Sequence, residues 1–343
     1  MKLLVCTQAV DQDDPALGFF HEWIRALADR FESVEVICLQ EGRHALSDNV
    51  RVHSLGKESG RKSRGRYAAR FLQLAWSLRN SYDAVFVHQN QEYVLLAGWL
   101  WKFLGKRIFM WRNHYAGSSL TGLAAAFCDK IFCTSAHSYT ARYANTVLMP
   151  VGVDTDLFKF SESRTPHSIL FLGRITPSKR PDLLVESLGL LVERGVRFTA
   201  TLCGPVLSKD EGYFAALKRR AEELGLTERV TFRDGVSHDA AATLYASHEI
   251  FVNLSGSGMY DKTMFEAAAS GCIVIALSKD FTQHIDAQFV PQGGNAEAIA
   301  RALEHALSAP ADENIKAAGS FRSLAETNSL KALEARLARE MKL

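Results

Sequence analysis

The sequence predicts an α/β protein of two domains, each a parallel sheet joined by crossover helices. Short β-branched or apolar runs alternate with amphipathic helical stretches along all 343 residues, the pattern that βαβ units leave in a chain. That periodicity stops once, over residues 151–167 (VGVDTDLFKFSESRTPH), where polar and turn-forming residues gather. The chain is also long enough for two hydrophobic cores of ordinary size. The expected domains are 1–155 and 156–343, facing each other across a cleft, with the last helix free to pack back on the first domain.

The strands follow in order. In the first half, 2–7 (KLLVCT), 34–39 (VEVICL), 84–88 (AVFVH), 107–111 (RIFMW), 130–134 (KIFCT) and 145–149 (NTVLM) are short, mostly unbroken apolar runs. Strands covered on both faces read this way. In the second half the same kind of run recurs at 169–172, 198–203, 230–232, 250–253 and 273–276. Helical patterns fill most of the gaps, and neither a short repeat nor a low-complexity segment interrupts them.

Composition narrows the partners. A net charge of +2 argues against a chain devoted to nucleic acid. Locally, residues 57–70 (KESGRKSRGRYAAR) hold six cations against one carboxylate, and Phe71, Leu72, Leu74 and Trp76 follow. Two readings stand for Arg61, Lys62, Arg64 and Arg66: a solvated loop entering an amphipathic helix, or a surface that meets anionic lipid. The six cysteines, Cys6, Cys38, Cys128, Cys133, Cys203 and Cys272, fall mainly in apolar runs, without the paired spacing of a zinc site or a disulfide framework. The start MKLLVCTQAV lacks a signal-peptide cleavage pattern, and no apolar run is long enough to cross a bilayer. A cytoplasmic protein is the expectation, peripheral at the inner membrane face on the second of the two readings of the basic segment.

Chemistry concentrates in two segments of the second half. In 169-ILFLGRITPSKRPDLLVES a strand breaks at Gly173 and a helix opens near Pro181, so Arg174 and Lys179 fall in the strand-to-helix loop. In 250-IFVNLSGSGMYDKTMFEAAASG a strand runs into a glycine-rich turn, and Glu266 lies about one turn into the next helix. Two cations, the unpaired N–H groups of a helix start and a carboxylate able to accept from two hydroxyls are what a nucleoside diphosphate requires.

These strings resemble a family, the retaining nucleotide-sugar-dependent glycosyltransferases of family 4. PVGVDTDLF (150–158) is similar to its interdomain signature, GRITPSKRPDLLVES (173–187) to its phosphate-binding segment, and VTFRDGVSHDAAATLYASHEIFVNLS (230–255) to its base-side segment. Their order and spacing span most of the chain and make the match specific. The resemblance implies a GT-B fold of two facing Rossmann-like domains, a nucleoside diphosphate sugar as donor, and no metal or other cofactor.

Carried over by position, Arg174 and Lys179 would hold the donor diphosphate and stabilise the charge that grows on it, with Gly173 beside them. Glu266 would bind the two ribose hydroxyls. The first glutamate of the family's pair is absent, Gly258 standing in its place. The string Met259, Tyr260, Asp261, Lys262, Thr263 resembles a variant with a lysine four residues before the retained glutamate. Asp261 and Lys262 would meet phosphate or sugar, though Asp261 reads equally well as a helix cap. Arg233, Gly235 and Val236 match the loop that reads the base through its backbone.

In the first half, Gly18 matches the family's glycine loop near the transferred sugar and acceptor, with Asp14 and His21 flanking it. His114, beside Asn113 in WRNHYAG, sits where the family keeps a histidine near the donor sugar; a structural histidine at a strand end is the alternative. HQNQEY (88–93) offers Asn90 either to sugar hydroxyls or as a helix cap. The implied reaction is sugar transfer with retention to an acceptor hydroxyl, in cell-envelope glycan or glycolipid assembly. Rival readings are a catalytically weak partner subunit that binds nucleotide or glycan, a sugar-nucleotide epimerase, or a phosphorylase on the same architecture.

Overall fold

The structure, a computed structural model, describes residues 1–14, 17–60, 63–258 and 261–342. It divides into two compact units, residues 1–150 with the C-terminal segment from Leu333, and Val151–Ala332. The expected Arg61, Lys62, Met259 and Tyr260 lie outside the described residues.

The first unit is built on a seven-stranded, all-parallel sheet. Its strands are β1 (Leu3–Val10), β2 (Val34–Glu41), β3 (Val50–Ser54), β4 (Ala84–His88), β5 (Arg107–Trp111), β6 (Lys130–Cys133) and β7 (Thr146–Leu148), in the order β3-β2-β1-β4-β5-β6-β7. The helices are α1 (Phe19–Ala28), α2 (Arg64–Ser77), α3 (Gln91–Phe103) and α4 (Ser119–Phe127). One core gathers Phe71 of α2, Val94, Ala97 and Trp101 of α3 and Ala124 of α4 with Leu4, Val85 and Met110 of the sheet, so these three helices cover the same sheet face. The approach of α3 to α4 is close at Gly98, where a Cβ would stand 2.8 Å from the Phe127 ring.

Strand β3 was not among the expected strands. Its edge position leaves Arg51 and His53 outward, so the run lacks the apolar continuity of the inner strands. It is secured by Glu35 of β2, which accepts from His53 Nε2 at 2.6 Å while Arg51 stands 3.9 Å away.

The second unit holds a five-stranded parallel sheet of β8 (Thr165–Leu172), β9 (Thr199–Cys203), β10 (Val230–Arg233), β11 (His248–Asn253) and β12 (Ile273–Ala276), ordered β10-β9-β8-β11-β12. Its helices are α5 (Pro181–Glu193), α6 (Glu211–Glu223), α7 (His238–Ser247), α8 (Thr263–Ser270), the short α9 (Lys279–Thr282), α10 (Ala296–Ser308) and α11 (Ala311–Thr327). Helix α5 packs on α6 and α10, and α8 on α7 and α11, giving a layer on each face. The last helix, α12 (Leu330–Lys342), spans the division, and its Glu340 takes Lys130 Nζ of β6 on both its carbonyl (3.0 Å) and its carboxylate (2.9 Å). All six cysteines are buried thiols outside any disulfide, and burial pushes those of Cys38, Cys128 and Cys272 up to about 12.

Pairing continues past the strand ends at the C-terminal edge of the second sheet. Gly173 N–H donates to Cys203 O at 3.0 Å, Ile175 N–H to Pro205 O at 3.1 Å and Gly204 N–H to Arg233 O at 3.1 Å. The close approach needs glycine, because a Cβ on Gly204 would stand 1.8 Å from Gly173 O. Gly204→Ala is expected to destabilise the protein by about 2 kcal/mol or more. Gly256→Ala, where a Cβ meets nothing within 4 Å, should stay within about 0.5 kcal/mol of wild type in the same urea titration.

A second prediction concerns His88, the last residue of β4. Its ring stacks on Phe20 with centroids 3.8 Å apart, and burial lowers it to about 3. The unfolded chain therefore takes up this proton near pH 6.5, while the native state resists until about 3. Stability from this group is full above pH 6.5 and falls steadily towards pH 3, at up to about 1.4 kcal/mol per pH unit. His88→Phe should flatten that part of the stability profile in urea unfolding followed across pH.

Candidate functional site

In the second sheet the chain first winds from β8 outward to β10, then returns to the other side of β8 with β11 and β12. The crossovers after β8 and after β11 thus leave in opposite directions and part at the C-terminal ends of two neighbouring strands. Such a switch point is where open parallel sheets take ligands. The two segments singled out in the sequence are these two crossovers.

After β8 the loop from Gly173 reaches a single turn of 3₁₀ helix at Pro177–Lys179 and then α5. Arg174 is exposed and makes no hydrogen bond or ion pair among the described residues. Lys179 differs: its Nζ donates to Asp261 Oδ2 at 2.5 Å, which ties the β8 loop to the start of α8. Asp261 is buried. Burial alone would raise its carboxyl, but the Lys179 charge and the hydrogen bonds from Lys179, Thr263 and Asn253 outweigh it and hold the group at about 2.

Glu266 lies in the first turn of α8 and is buried as well. Two long hydrogen bonds reach it, from His238 Nε2 and Tyr245 Oη, both at 3.4 Å. These leave much of the carboxylate's acceptor capacity unused. Lys262 is part-buried, and burial draws its ammonium down against the opposing pull of Glu266 and Asp154. Thr263 is the first residue of α8, and its hydroxyl donates to Asp261 Oδ1 at 2.6 Å.

The string at 150–158 supports this site by packing. Asp154 Oδ1 accepts the N–H groups of Asp156 and Leu157, each at 3.0 Å, and shapes the turn that buries Phe158. The Phe158 ring then meets His238 and Tyr245 edge-on, with centroids 5.0 and 5.7 Å away. Both partners of Glu266 are thereby fixed.

Gly258 adopts φ +80°, and its N–H donates to Asp280 Oδ2 at 2.8 Å. Arg233 is exposed at the end of β10, Gly235 lies against Pro205, and Val236 is half-buried against the core ahead of the α7 cap Ser237. Sequence reasoning missed Asn253, Ser255, His238, Tyr245 and Asp280. Of these, all but Asp280 lie inside the base-side string, and Asp280 had no signal beyond following a strand.

The edge of the first sheet assembles the other expected residues. His114 is exposed; its Nδ1 accepts from Ala116 N–H at 2.9 Å, so in the neutral ring the proton sits on Nε2. Asn113 Oδ1 accepts from Thr134 N–H at 2.8 Å and fastens this loop to the end of β6. Asn90 stands at the N-cap position of α3 but does not cap it; its Oδ1 accepts from Gln8 Nε2 of β1 at 2.9 Å. Gly18 precedes α1, and a Cβ there would stand 2.7 Å from Asp14 O and 2.9 Å from Gln12 O, so the loop's own backbone requires glycine. Asp14 Oδ1 accepts from Leu17 N–H at 2.8 Å. His21 is buried, with Nδ1 bonded to Glu22 at 3.1 Å and Nε2 accepting from Ala45 N–H at 3.1 Å. Neither of its ring nitrogens is left for an acceptor.

Known proteins resemble this chain in sequence and in fold. Residues 153–320 match the family model of glycosyl transferases group 1. Among curated proteins, the D-inositol 3-phosphate glycosyltransferase of Mycobacterium tuberculosis is 31% identical over 135 residues, covering 36% of this chain and 27% of that protein. The chain thus matches about a quarter of the length of the curated relatives it resembles. Among solved structures, Anabaena HepE in complex with UDP-glucose aligns with a TM-score of 0.78 at 17% identity, over 100% of this chain and 99% of its own. WaaG, a glycosyltransferase involved in lipopolysaccharide biosynthesis, aligns with a TM-score of 0.70 at 16% identity, over 98% of each chain. The fold is that of GT-B glycosyltransferases, two Rossmann-like α/β units, and the match to glycosyl transferases group 1 falls on the second of them.

Proposed function

We propose that this protein is a retaining glycosyltransferase that moves a sugar from a nucleoside diphosphate donor to an acceptor hydroxyl. The observation that carries this reading is the convergence of Arg174, Lys179 and the loosely held carboxylate of Glu266 at one switch point. Glu266 takes the ribose hydroxyls, and Arg174 and Lys179 take the diphosphate, whose charge grows as the anomeric C–O bond breaks. These cations belong to the chain, so the proposed reaction needs no divalent metal or other cofactor. The acceptor oxygen forms the new bond on the same face of the sugar, and its proton passes to the departing phosphate oxygen. Arg233, Gly235 and Val236 border the base.

The proposed setting is cell-envelope glycan or glycolipid assembly, with a glycan or lipid-linked acceptor, and WaaG is a structural neighbour of that kind. The outer face of α2–α4 supports attachment to an anionic membrane on the cytoplasmic side. Arg64, Arg66 and Arg70 are exposed on α2, which has no carboxylate, and α4 has no charged residue. The same layer exposes Trp76, Trp99, Phe103, Leu120 and Leu123, five of the ten large apolar side chains exposed among the described residues. Cations beside interfacial aromatics suit a headgroup region.

Calorimetry of the purified chain against UDP, GDP, ADP and CMP and their common sugar conjugates tests the reading. One nucleotide should bind, Arg174→Ala should weaken the diphosphate roughly 10- to 100-fold, and Glu266→Ala should weaken diphosphate and monophosphate alike. Binding without turnover would favour the partner-subunit reading instead. For the membrane face, Arg64→Ser, Arg66→Ser and Arg70→Ser combined should abolish co-sedimentation with phosphatidylglycerol-containing vesicles while leaving nucleotide affinity unchanged. Undiminished sedimentation would count decisively against attachment through this face.

A further inference from the structure

Asp261 stands where a ligand for the donor sugar is expected, yet its bonding leaves no room for one. Its Oδ2 lies 2.5 Å from Lys179 Nζ, 2.7 Å from Asn253 Nδ2 and 3.2 Å from Ser255 Oγ. Its Oδ1 lies 2.6 Å from Thr263 Oγ1 and 3.4 Å from Thr263 N. A carboxylate offers about four lone-pair sites, and five donors already compete for them. The donors come from the β8 loop, the end of β11, the turn beyond it and the start of α8, so the side chain is fixed from every side. A sugar hydroxyl would have to displace one of them.

Lys179 has the opposite character. One of its three N–H bonds goes to Asp261, and the other two have no acceptor among the described residues. Its side chain keeps 16% of its exposure, enough to meet a ligand without being solvated freely. The backbone is bent to hold it there: Arg180, the next residue, sits at φ +56°, ψ +41°, a region that side chains other than glycine, Asn and Asp seldom adopt. Strain of this kind persists where surrounding structure enforces it, and it gathers at functional sites.

We propose that Asp261 is a positioning residue: it holds the Lys179 ammonium at the switch point so that the site selects a nucleoside diphosphate over the corresponding monophosphate. The proposal rests on the donor reading above and deepens it. A flexible lysine loses rotamer freedom on meeting a phosphate; one already anchored by a buried carboxylate has lost it on folding. The rival effect has the opposite sign. If Asp261 merely cancelled part of the positive charge, neutralising it would strengthen the grip on the more highly charged diphosphate.

The test is calorimetric measurement of UDP against UMP, with the guanine and adenine pairs in parallel, on the full chain at fixed salt. Asp261→Asn and Lys179→Met should each cut the diphosphate preference by about tenfold, and the double variant should cut it no further, as expected of residues that act as one unit. Thr263→Ala removes one anchor of Asp261 without touching either charge, and guards against misfolding of the Asn variant. It should lower the preference by a smaller factor, with the melting transition retained. A preference unchanged or increased in Asp261→Asn, or additive losses in the double variant, overturns the positioning role. A wild-type chain that binds no diphosphate overturns the donor reading and this role together, so the two failures remain distinct.

Discussion

The second unit depends on how the segments after β8 and β11 part. Right-handed crossovers that wind away from a shared pair of strands must go to opposite faces of the sheet, and the notch left between them is lined by loop backbone and helix starts. Here Asp261 spans that notch. A buried carboxylate without partners would cost several kcal/mol; this one gathers donors from both crossovers and stays ionised down to about pH 2. Folding and site geometry are the same problem at this point, because the bond that satisfies the buried charge also places Lys179.

The two buried carboxylates of the site show how bonding separates support from binding. Asp261 and Glu266 lie five residues apart in sequence and are similarly buried, at 8% and 5% exposure. One is saturated, and the carboxylate of the other takes two hydrogen bonds among the described residues, both at 3.4 Å. Glu266 nevertheless has a fixed wall behind it. Phe158, brought in by the Asp154 turn, orients His238 and Tyr245, so that a ligand could replace weak hydrogen bonds without rearranging the core. Asp154 and Phe158 of the string 150–158 thus act as a buttress within the second unit.

Much of this was legible in the sequence because it depends on local pattern. Inner strands covered on both faces announce themselves as apolar runs, and Arg174, Lys179 and Glu266 fall where those runs end. Strand β3 was not legible, since its stability comes from Glu35 on β2, a partner fifteen or more positions away. Nor was the bonding of Asp261. Asn253, Ser255 and Thr263 are ordinary turn residues taken singly, and only the register of β11 against β8 brings them and Lys179 to one carboxylate. His21 and Asn90 show the converse: both lie near the sheet edge, as expected, but His21 is consumed by packing and Asn90 is bonded to Gln8 rather than to the helix it precedes.

Gly258, which stands where the resemblance expects a glutamate, has a structural role of its own. Gly258 takes φ +80°, where a glutamate would carry a strain of about 1 kcal/mol or more. Its N–H is held by Asp280, which Ser278 Oγ approaches to 3.2 Å in turn. The turn after β11 therefore has an architecture of its own, anchored by Asp280 at one side and by Asp261 at the other. Both carboxylates face inward and support the turn, and on the proposed reading the donor is gripped at its ribose and phosphates. A glutamate placed at 258 would have to take up this left-handed conformation, because the backbone there is shaped for glycine.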